Sequence, residues 1–227
     1  MDLNLFVQTV AIYALPVLLA ITLHEAAHGY VARHFGDMTA HAQGRISLNP
    51  ARHVDIVGTI VVPALLLIVT AGKFAFGWAK PVPVNYSALR KPRLHMTLVA
   101  AAGPAANLAM LLGWAAALHV VMLFPAGSMT EFLARLSVAG VVVNLVIMAF
   151  NLLPILPLDG GRILSGFLPG RLAEAFGRTE TLGAYAFMAF AVFGVYDSTV
   201  NDGSFMASLF QPLNLFAAEL LRFIART

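Results

Sequence analysis

The sequence predicts an all-α polytopic membrane protein of five to six transmembrane or re-entrant helices, and three observations carry that prediction. Of its 227 residues, 59% are hydrophobic and 11% charged, against about 45–50% and about 25% in soluble domains. Mean hydropathy is +0.82. Apolar stretches near the roughly 20 residues needed to cross a bilayer recur along the chain. Too little polar surface is available to wrap a water-soluble globule of this size, which excludes a cytosolic enzyme, a disordered chain and an extended nucleic-acid binder.

The elements follow in order. The opening stretch, Met1-Asp2-Leu3-Asn4, has no cationic region and no convincing cleavage site follows it, so the N-terminus reads as retained rather than as a signal peptide. Residues 5–35 form a first span whose second half carries His24, Glu25, His28 and Arg33. Residues 54–72 are apolar with Pro63 near their middle; they form either a Pro-kinked span or a re-entrant segment. Residues 94–124 are long and rich in small residues, a fourth apolar stretch runs over 136–158 and a fifth over 181–196. The last, 205–224, carries Glu219 and Arg222 and either spans or lies at the interface. There is no internal repeat, no low-complexity segment and no long linker, so residues 1–227 read as a single domain.

Charge orients these elements. With the N-terminus outside and residues 54–72 re-entrant, 13 of the 14 Lys and Arg residues fall on the cytoplasmic side, Lys73 among them, and only Arg135 lies outside. Asp2, Glu131, Asp197 and Asp202 also fall outside. A full crossing by residues 54–72 would erase most of that asymmetry. The net charge of +3 is spread out, with Arg90, Lys91 and Arg93 as its densest cluster, which argues against nucleic acid as a partner.

Cysteine is absent, so a metal must be held by His and carboxylate. The sharpest motif is His24-Glu25-Ala26-Ala27-His28. Helical residues four apart stack on one face, so two imidazoles can reach one metal ion while Glu25 takes a proton from the attacking water. With seven His and five Glu in the chain, chance supplies roughly 0.005 such matches. The alternative is a hydrogen-bonded polar cluster without a metal, but two His and a Glu within an apolar span are costly, which marks them as functional. His34 has the spacing of a third ligand, but that pattern needs a glycine where Val31 stands, and a continuing helix turns His34 some 240° away from His28.

Asp159 is the better third ligand. It lies in Asn151-Leu152-Leu153-Pro154-Ile155-Leu156-Pro157-Leu158-Asp159-Gly160-Gly161, where two prolines and two glycines break a helix at membrane depth. Such a break must line a polar cavity or be buried in protein. Asp159 is also the only acid between Glu131 and Glu174, and the first and fourth spans both end on the same side if residues 54–72 are re-entrant. The alternative is that Asp159 merely caps Gly160-Gly161-Arg162 at the water surface.

With these motifs the chain resembles the site-2 proteases, zinc metalloproteases that cut substrates inside the bilayer. The resemblance rests on His24-Glu25-x-x-His28, on Asn151-x-x-Pro154-x-x-x-Leu158-Asp159-Gly160 and on Gly103-Pro104-Ala105-Ala106-Asn107. Asn49-Pro50-Ala51-Arg52-His53-Val54-Asp55 and Gly77-Trp78-Ala79-Lys80-Pro81-Val82-Pro83-Val84-Asn85 look like the short bacterial branch. The resemblance implies one zinc ion on His24, His28 and Asp159, Glu25 as catalytic base and Asn151 assisting at the site. It also implies single-span membrane proteins or signal-peptide remnants as substrates, and an integral protein of the bacterial inner membrane with its site towards the cytoplasm. A substrate helix must unwind to expose its peptide bonds, and residues 74–85, with Pro81 and Pro83 between valines, would offer it a strand-like edge.

Two rival functions use the same polar cluster: an ion or metal transport protein, and a non-catalytic membrane adaptor. Glu25 discriminates, because a transporter needs the ligands but not the base. Asn107 and Asn144 read as hydrogen bonds between helices, Gly103 as a close-packing residue, and His53 with Asp55 as either an interfacial pair or partners that tune the metal.

Overall fold

The first residue described in the computed structural model is Leu3 and the last Arg226; Met1 and Asp2, on which part of the N-terminal reading falls, and Thr227 lie outside the described residues. In chain order the α-helices are α1 (Leu3–His34), the single turn α2 (Thr39–Ala42), α3 (Val62–Val69), α4 (Pro92–Met122), α5 (Ser128–Asn151), α6 (Asp159–Phe167), α7 (Gly170–Gly177), α8 (Glu180–Val200) and α9 (Ser204–Arg226). No strand occurs among the described residues. Four segments are long and apolar enough to cross a bilayer: Val7–His34, Pro92–Met122, Ser128–Asn151 and Glu180–Val200. With the shorter apolar Ile56–Val69 and α9, the expected five to six elements are present.

α4 is the central helix and packs on α1, α5, α6 and α9. Its interior is built from small side chains: Ala20, Ala26 and Ala32 of α1, Ala100 and Ala115 of α4 and Ala139 of α5 are buried. Leu108, Leu112, Val120, Leu182, Met188 and Val192 point outward. This is the distribution a bilayer selects, because lipid removes the drive to bury large apolar groups and close backbone packing holds the helices together. Gly140 shows the principle: a Cβ there would lie 2.2 Å from the Trp114 ring that seats on α5. α9 closes the far side of the bundle, with Ala217, Leu213 and Leu220 packed around Leu111, Val141 and Leu145.

Residues 54–72 form one arm of a hairpin. Asp55 caps a π-helical stretch, Ile56–Val61, by accepting the Gly58 N–H at 2.7 Å. The wide turns lead straight into α3, so Pro63 stands inside a continuous helical run, and the Gly58 carbonyl five residues before it is left for a partner outside the helix. After Gly72 the chain comes back extended along α3, and the Trp78 and Lys80 N–H groups donate to the carbonyls of Gly58 (3.0 Å) and His53 (2.9 Å). A Cβ on Gly77 would lie 2.4 Å from Gly58 O, so only glycine lets the two arms meet. Residues 54–72 therefore do not return within themselves, as the re-entrant reading expected; they make one arm only, and residues 73–80 bring the chain back to the level of His53.

Its tip corrects the placing of Lys73. Lys73 pairs with Asp202, just beyond the end of α8, while Phe74 packs on Gly194 and Phe76 on Phe187. α8 is 21 residues long, about 31 Å, and Glu180 at its start bonds Arg162 beside the Asp159 break. Lys73 thus stands at the end of α8 remote from Arg162, and not with the other basic residues. The fourth apolar stretch also differs from its expected bounds. α5 begins at Ser128, eight residues early, because Glu131 and Arg135 pair one turn apart and carry the helix beyond the apolar run. It ends at Asn151, since Pro154 and Pro157 cannot continue a helix.

Candidate metal centre and active site

α1 presents His24 and His28 from successive turns, with their Nε2 atoms 3.1 Å apart and their rings nearly perpendicular at 85°. Both are buried in the protein. The space comes from α4: a Cβ on Gly103 would lie 2.5 Å from His28 Nε2 and 2.6 Å from His24 Nε2. α4 also supplies a partner for the second nitrogen of each ring, Asn107 Oδ1 at 2.6 Å from His24 Nδ1 and Val99 O at 2.7 Å from His28 Nδ1. A carbonyl only accepts, so His28 Nδ1 carries a proton, and in the neutral imidazole that leaves Nε2 as a lone pair facing the other ring.

Asp159 completes the cluster as the first residue of α6. Its Oδ2 lies 3.2 Å from His24 Nε2 and 3.4 Å from His28 Nε2. Two glycines set this position. A Cβ on Gly160 would strike Leu152 O at 2.2 Å, and one on Gly161 would strike the Ile155 carbonyl carbon at 2.5 Å. Arg162 fastens α6 from the other side, bonded to Glu180 at 2.9 Å and lying 5.1 Å over the Tyr86 ring.

The donor set fits zinc. Tetrahedral zinc with bonds of about 2.0–2.1 Å separates its ligand atoms by about 3.3–3.4 Å, and the triangle here has edges of 3.1, 3.2 and 3.4 Å. Asp159 Oδ2 is buried without a hydrogen-bond partner. Ring nitrogens and an unpaired buried carboxylate oxygen converging on one point suit a cation. Among the described residues, His24, His28 and Asp159 form the one group of three or more such ligands close enough to share an ion. His34, by contrast, remains on the continuing helix, stacked edge-on to Phe35.

Glu25 points to the opposite arm of the hairpin, where its Oε2 accepts the Val82 N–H at 2.7 Å. Residues 78–85 form a strap over this end of α1. Lys80 N–H is taken by His53, Arg45 donates to the carbonyls of Lys80 (2.8 Å) and Pro81 (3.2 Å), and Asn85 N–H reaches Asp37 Oδ2 at 2.7 Å. The strap is extended as expected, but the edge expected to pair with substrate is not free. The N–H groups of Trp78, Lys80 and Val82 bond inward, and Pro81 and Pro83 leave the opposite edge short of donors.

The remaining residues sort plainly. Asn151 ends α5, and its amide donates to Ile147 O at 2.9 Å. Asn107 and Asn144 bond across α4 and α5 at 2.9 Å, as the sequence suggested, and Asn107 further reaches His24. His53 is fully buried with Nε2 bonded to Ser47 O at 2.7 Å, and Asp55 is a helix cap, so neither touches the His24–Asp159 cluster. Sequence reasoning missed the role of Gly103 as the space for both rings and of Val82 as the partner of Glu25. The motif Gly103-Pro104-Ala105-Ala106-Asn107 was the available signal for the first; a backbone N–H leaves none.

A bundle of apolar helices enclosing two histidines and a carboxylate at zinc spacing, with a glutamate beside the first histidine, defines an integral membrane metallohydrolase of the zinc-peptidase type. Residues 116–194, which include Asn151 and Asp159, match the profile of Peptidase family M50. The chain is 40% identical over 183 residues to the Bacillus subtilis (strain 168) protein named "Putative zinc metalloprotease YwhC", covering 78% of each. It is 32% identical over 151 residues to the Mycolicibacterium smegmatis protein named "Putative zinc metalloprotease Rip2", covering 63% of this chain and 52% of that one. No solved structure matches it significantly. The chain belongs to peptidase family M50, the site-2 proteases. It is an intramembrane zinc metalloprotease, of a family that acts on membrane-embedded substrates.

Proposed function

We propose that residues 1–227 form a single intramembrane endopeptidase domain in which His24, His28 and Asp159 hold one zinc ion and Glu25 is the catalytic base. The observation that carries this reading is the triangle of ligand atoms with an unpaired buried carboxylate oxygen at one corner. Bound zinc supplies Lewis acidity, polarising the scissile carbonyl and lowering the pKa of the attacking water. Glu25 accepts the proton of that water and delivers it to the leaving amine. Val82 N–H occupies Oε2 and so fixes the carboxylate with Oε1 available for the proton. Asn151 spends one amide hydrogen on Ile147 O, and the second is free to bond the substrate backbone or the developing oxyanion. The substrates are single-span segments of membrane-tethered regulators or signal-peptide remnants, cut in the bacterial inner membrane from a site opening towards the cytoplasm.

The test is zinc analysis and incubation of the purified protein with a panel of transmembrane peptides, alongside Glu25→Gln and Asp159→Ala. Near-stoichiometric zinc is expected in the unaltered protein and in Glu25→Gln, with cleavage by the unaltered protein only. Equal cleavage by Glu25→Gln would refute the mechanism, and undiminished zinc affinity in Asp159→Ala would remove Asp159 from the ligand set.

A further inference from the structure

We propose that Asn107 and Asn144 form a directional relay that holds His24 in the tautomer protonated at Nδ1, making both asparagines positioning residues for the zinc site. The inference rests on the reading of His24 as a zinc ligand. Both side chains are fully buried in the middle of apolar helices, where an amide is costly unless every polar atom is used.

The direction of each bond is forced from its far end. The Gly140 carbonyl of α5 can only accept, and Asn144 Nδ2 lies 2.9 Å from it. Asn144 Oδ1 is therefore the atom turned to α4, and an amide oxygen also only accepts. Asn107 must meet it with Nδ2, at 2.9 Å. The same nitrogen lies 3.5 Å from Ala20 O, a second group that only accepts. Asn107 Oδ1 is then left facing His24 Nδ1 at 2.6 Å, so that nitrogen carries the proton. A neutral imidazole has one ring proton, and His24 Nε2 is left as a lone pair aimed at the point shared with His28 and Asp159.

The opposite setting shows what the relay prevents. With the Asn107 amide reversed, Nδ2 would donate to His24 Nδ1 and drive the proton to Nε2, the atom that must bind the ion. It would also set the Asn107 amide oxygen against both Asn144 Oδ1 and Ala20 O. α5 thus biases a ligand it does not carry, through a carbonyl two side chains away. Val99 O does the same for His28 in one step, so α4 mediates the tautomer of both rings.

The experiment uses the full-length protein in detergent micelles, labelled with 15N-histidine, with zinc affinity measured by chelator competition. The His24 Nδ1–H resonance is expected to be protected from solvent exchange. Asn107→Leu is expected to weaken zinc binding about 10–100-fold, the usual cost of removing a histidine's outer partner, and to abolish that protection. Asn144→Leu is expected to show a smaller loss than Asn107→Leu, because Asn107 Nδ2 keeps Ala20 O as an acceptor. A folded Asn107→Leu with lower thermal stability but unchanged zinc affinity and a protected Nδ1–H would reduce the relay to packing and overturn the proposal. So would a zinc-free unaltered protein with His24 protonated at Nε2 alone, which requires no variant. If His24→Ala retains zinc, the ligand reading itself fails; if it loses zinc while Asn107→Leu binds normally, only the relay fails.

Discussion

At the scale of single residues, the chemistry depends as much on what is absent as on what is present. Gly103 makes the point: an added methyl would sit 2.5 Å from His28 Nε2 and 2.6 Å from His24 Nε2. Overpacking of this kind costs about 1–3 kcal/mol, and the rings can relieve it only by leaving the positions proposed to bind zinc. Gly103→Ala is therefore expected to lose zinc on gel filtration while remaining folded, whereas Gly113→Ala, with nothing within 4 Å of the new Cβ, is expected to be silent or slightly stabilising. Retention of full zinc by Gly103→Ala would show that the rings have slack. Asp37 supplies a pH signature. Its burial would raise the carboxyl pKa, but hydrogen bonds from Thr39 and from the Asn85 N–H outweigh that and hold it below the ordinary carboxylate range. A depressed folded-state value means that this contribution to stability is present above the unfolded pKa near 4 and disappears as pH falls through the folded one. Asp37→Asn should accordingly melt earlier at neutral pH, by an amount in keeping with the about 1.5–3 kcal/mol typical of bonds to a charged group, and its melting should depend less on pH in the acid range. An identical acid profile for the two proteins would dissociate Asp37 from strap anchoring. The histidine pair and Glu25 were legible in the sequence because their spacing is a property of one helix. Gly103 and Val82 were not, because empty volume and a main-chain N–H have no residue identity to read.

At the scale of elements, hydropathy located the spans but not their ends. The charged turn from Glu131 to Arg135 extends α5, and Pro154 and Pro157 cut it short. The hairpin is the element where competing forces are most visible. The apolar helix Ile56–Val69, π-helical over its first six residues, rises at most about 21 Å, and an extended return over residues 74–80 covers about 23 Å, so seven residues suffice to bring the chain back to the level it left. The tip pairs with Asp202 while the base is bonded to His53. The absence of native cysteine allows a direct check with single-cysteine variants in sealed vesicles. Lys73→Cys is expected to react with an impermeant maleimide from the same side as Asp202→Cys, and Arg52→Cys from the opposite side. Labelling of Lys73→Cys together with Arg52→Cys would place the tip back with the basic residues and remove the deep hairpin. Gly77→Ala is expected to disturb the same pattern, since its Cβ would press on Gly58 O and Pro63.

At the scale of the whole molecule, the helix contacts fix which ends share a face. His28 meets Val99 and His24 meets Asn107, so α1 and α4 run antiparallel, and the metal cluster lies towards the end of α1 and the start of α4. Asp159 brings the end of α5 to the same level, and Gly183, whose Cβ would strike Leu156 O at 1.7 Å, brings the start of α8. Arg33, Arg45, Arg52, Lys80, Arg90, Lys91, Arg93, Arg162, Arg171 and Arg178 all belong to these ends or to the loops between them. Lys73 and Arg135 belong to the other face, each beside an acid, Asp202 and Glu131. Moving Lys73 across still leaves the Lys and Arg residues strongly biased to one face, with Lys73 and Arg135 as the exceptions. On the proposed orientation, the face bearing the His24–Asp159 cluster is the cytoplasmic one and the α4–α5 turn lies outside. A topology reporter inserted at Gly127, in an exposed turn with nothing within 4 Å of its Cβ position, is therefore expected to read as extracytoplasmic, and one inserted at Gly44 as cytoplasmic. A cytoplasmic signal at Gly127 would invert the molecule and, with it, the side from which water reaches Glu25.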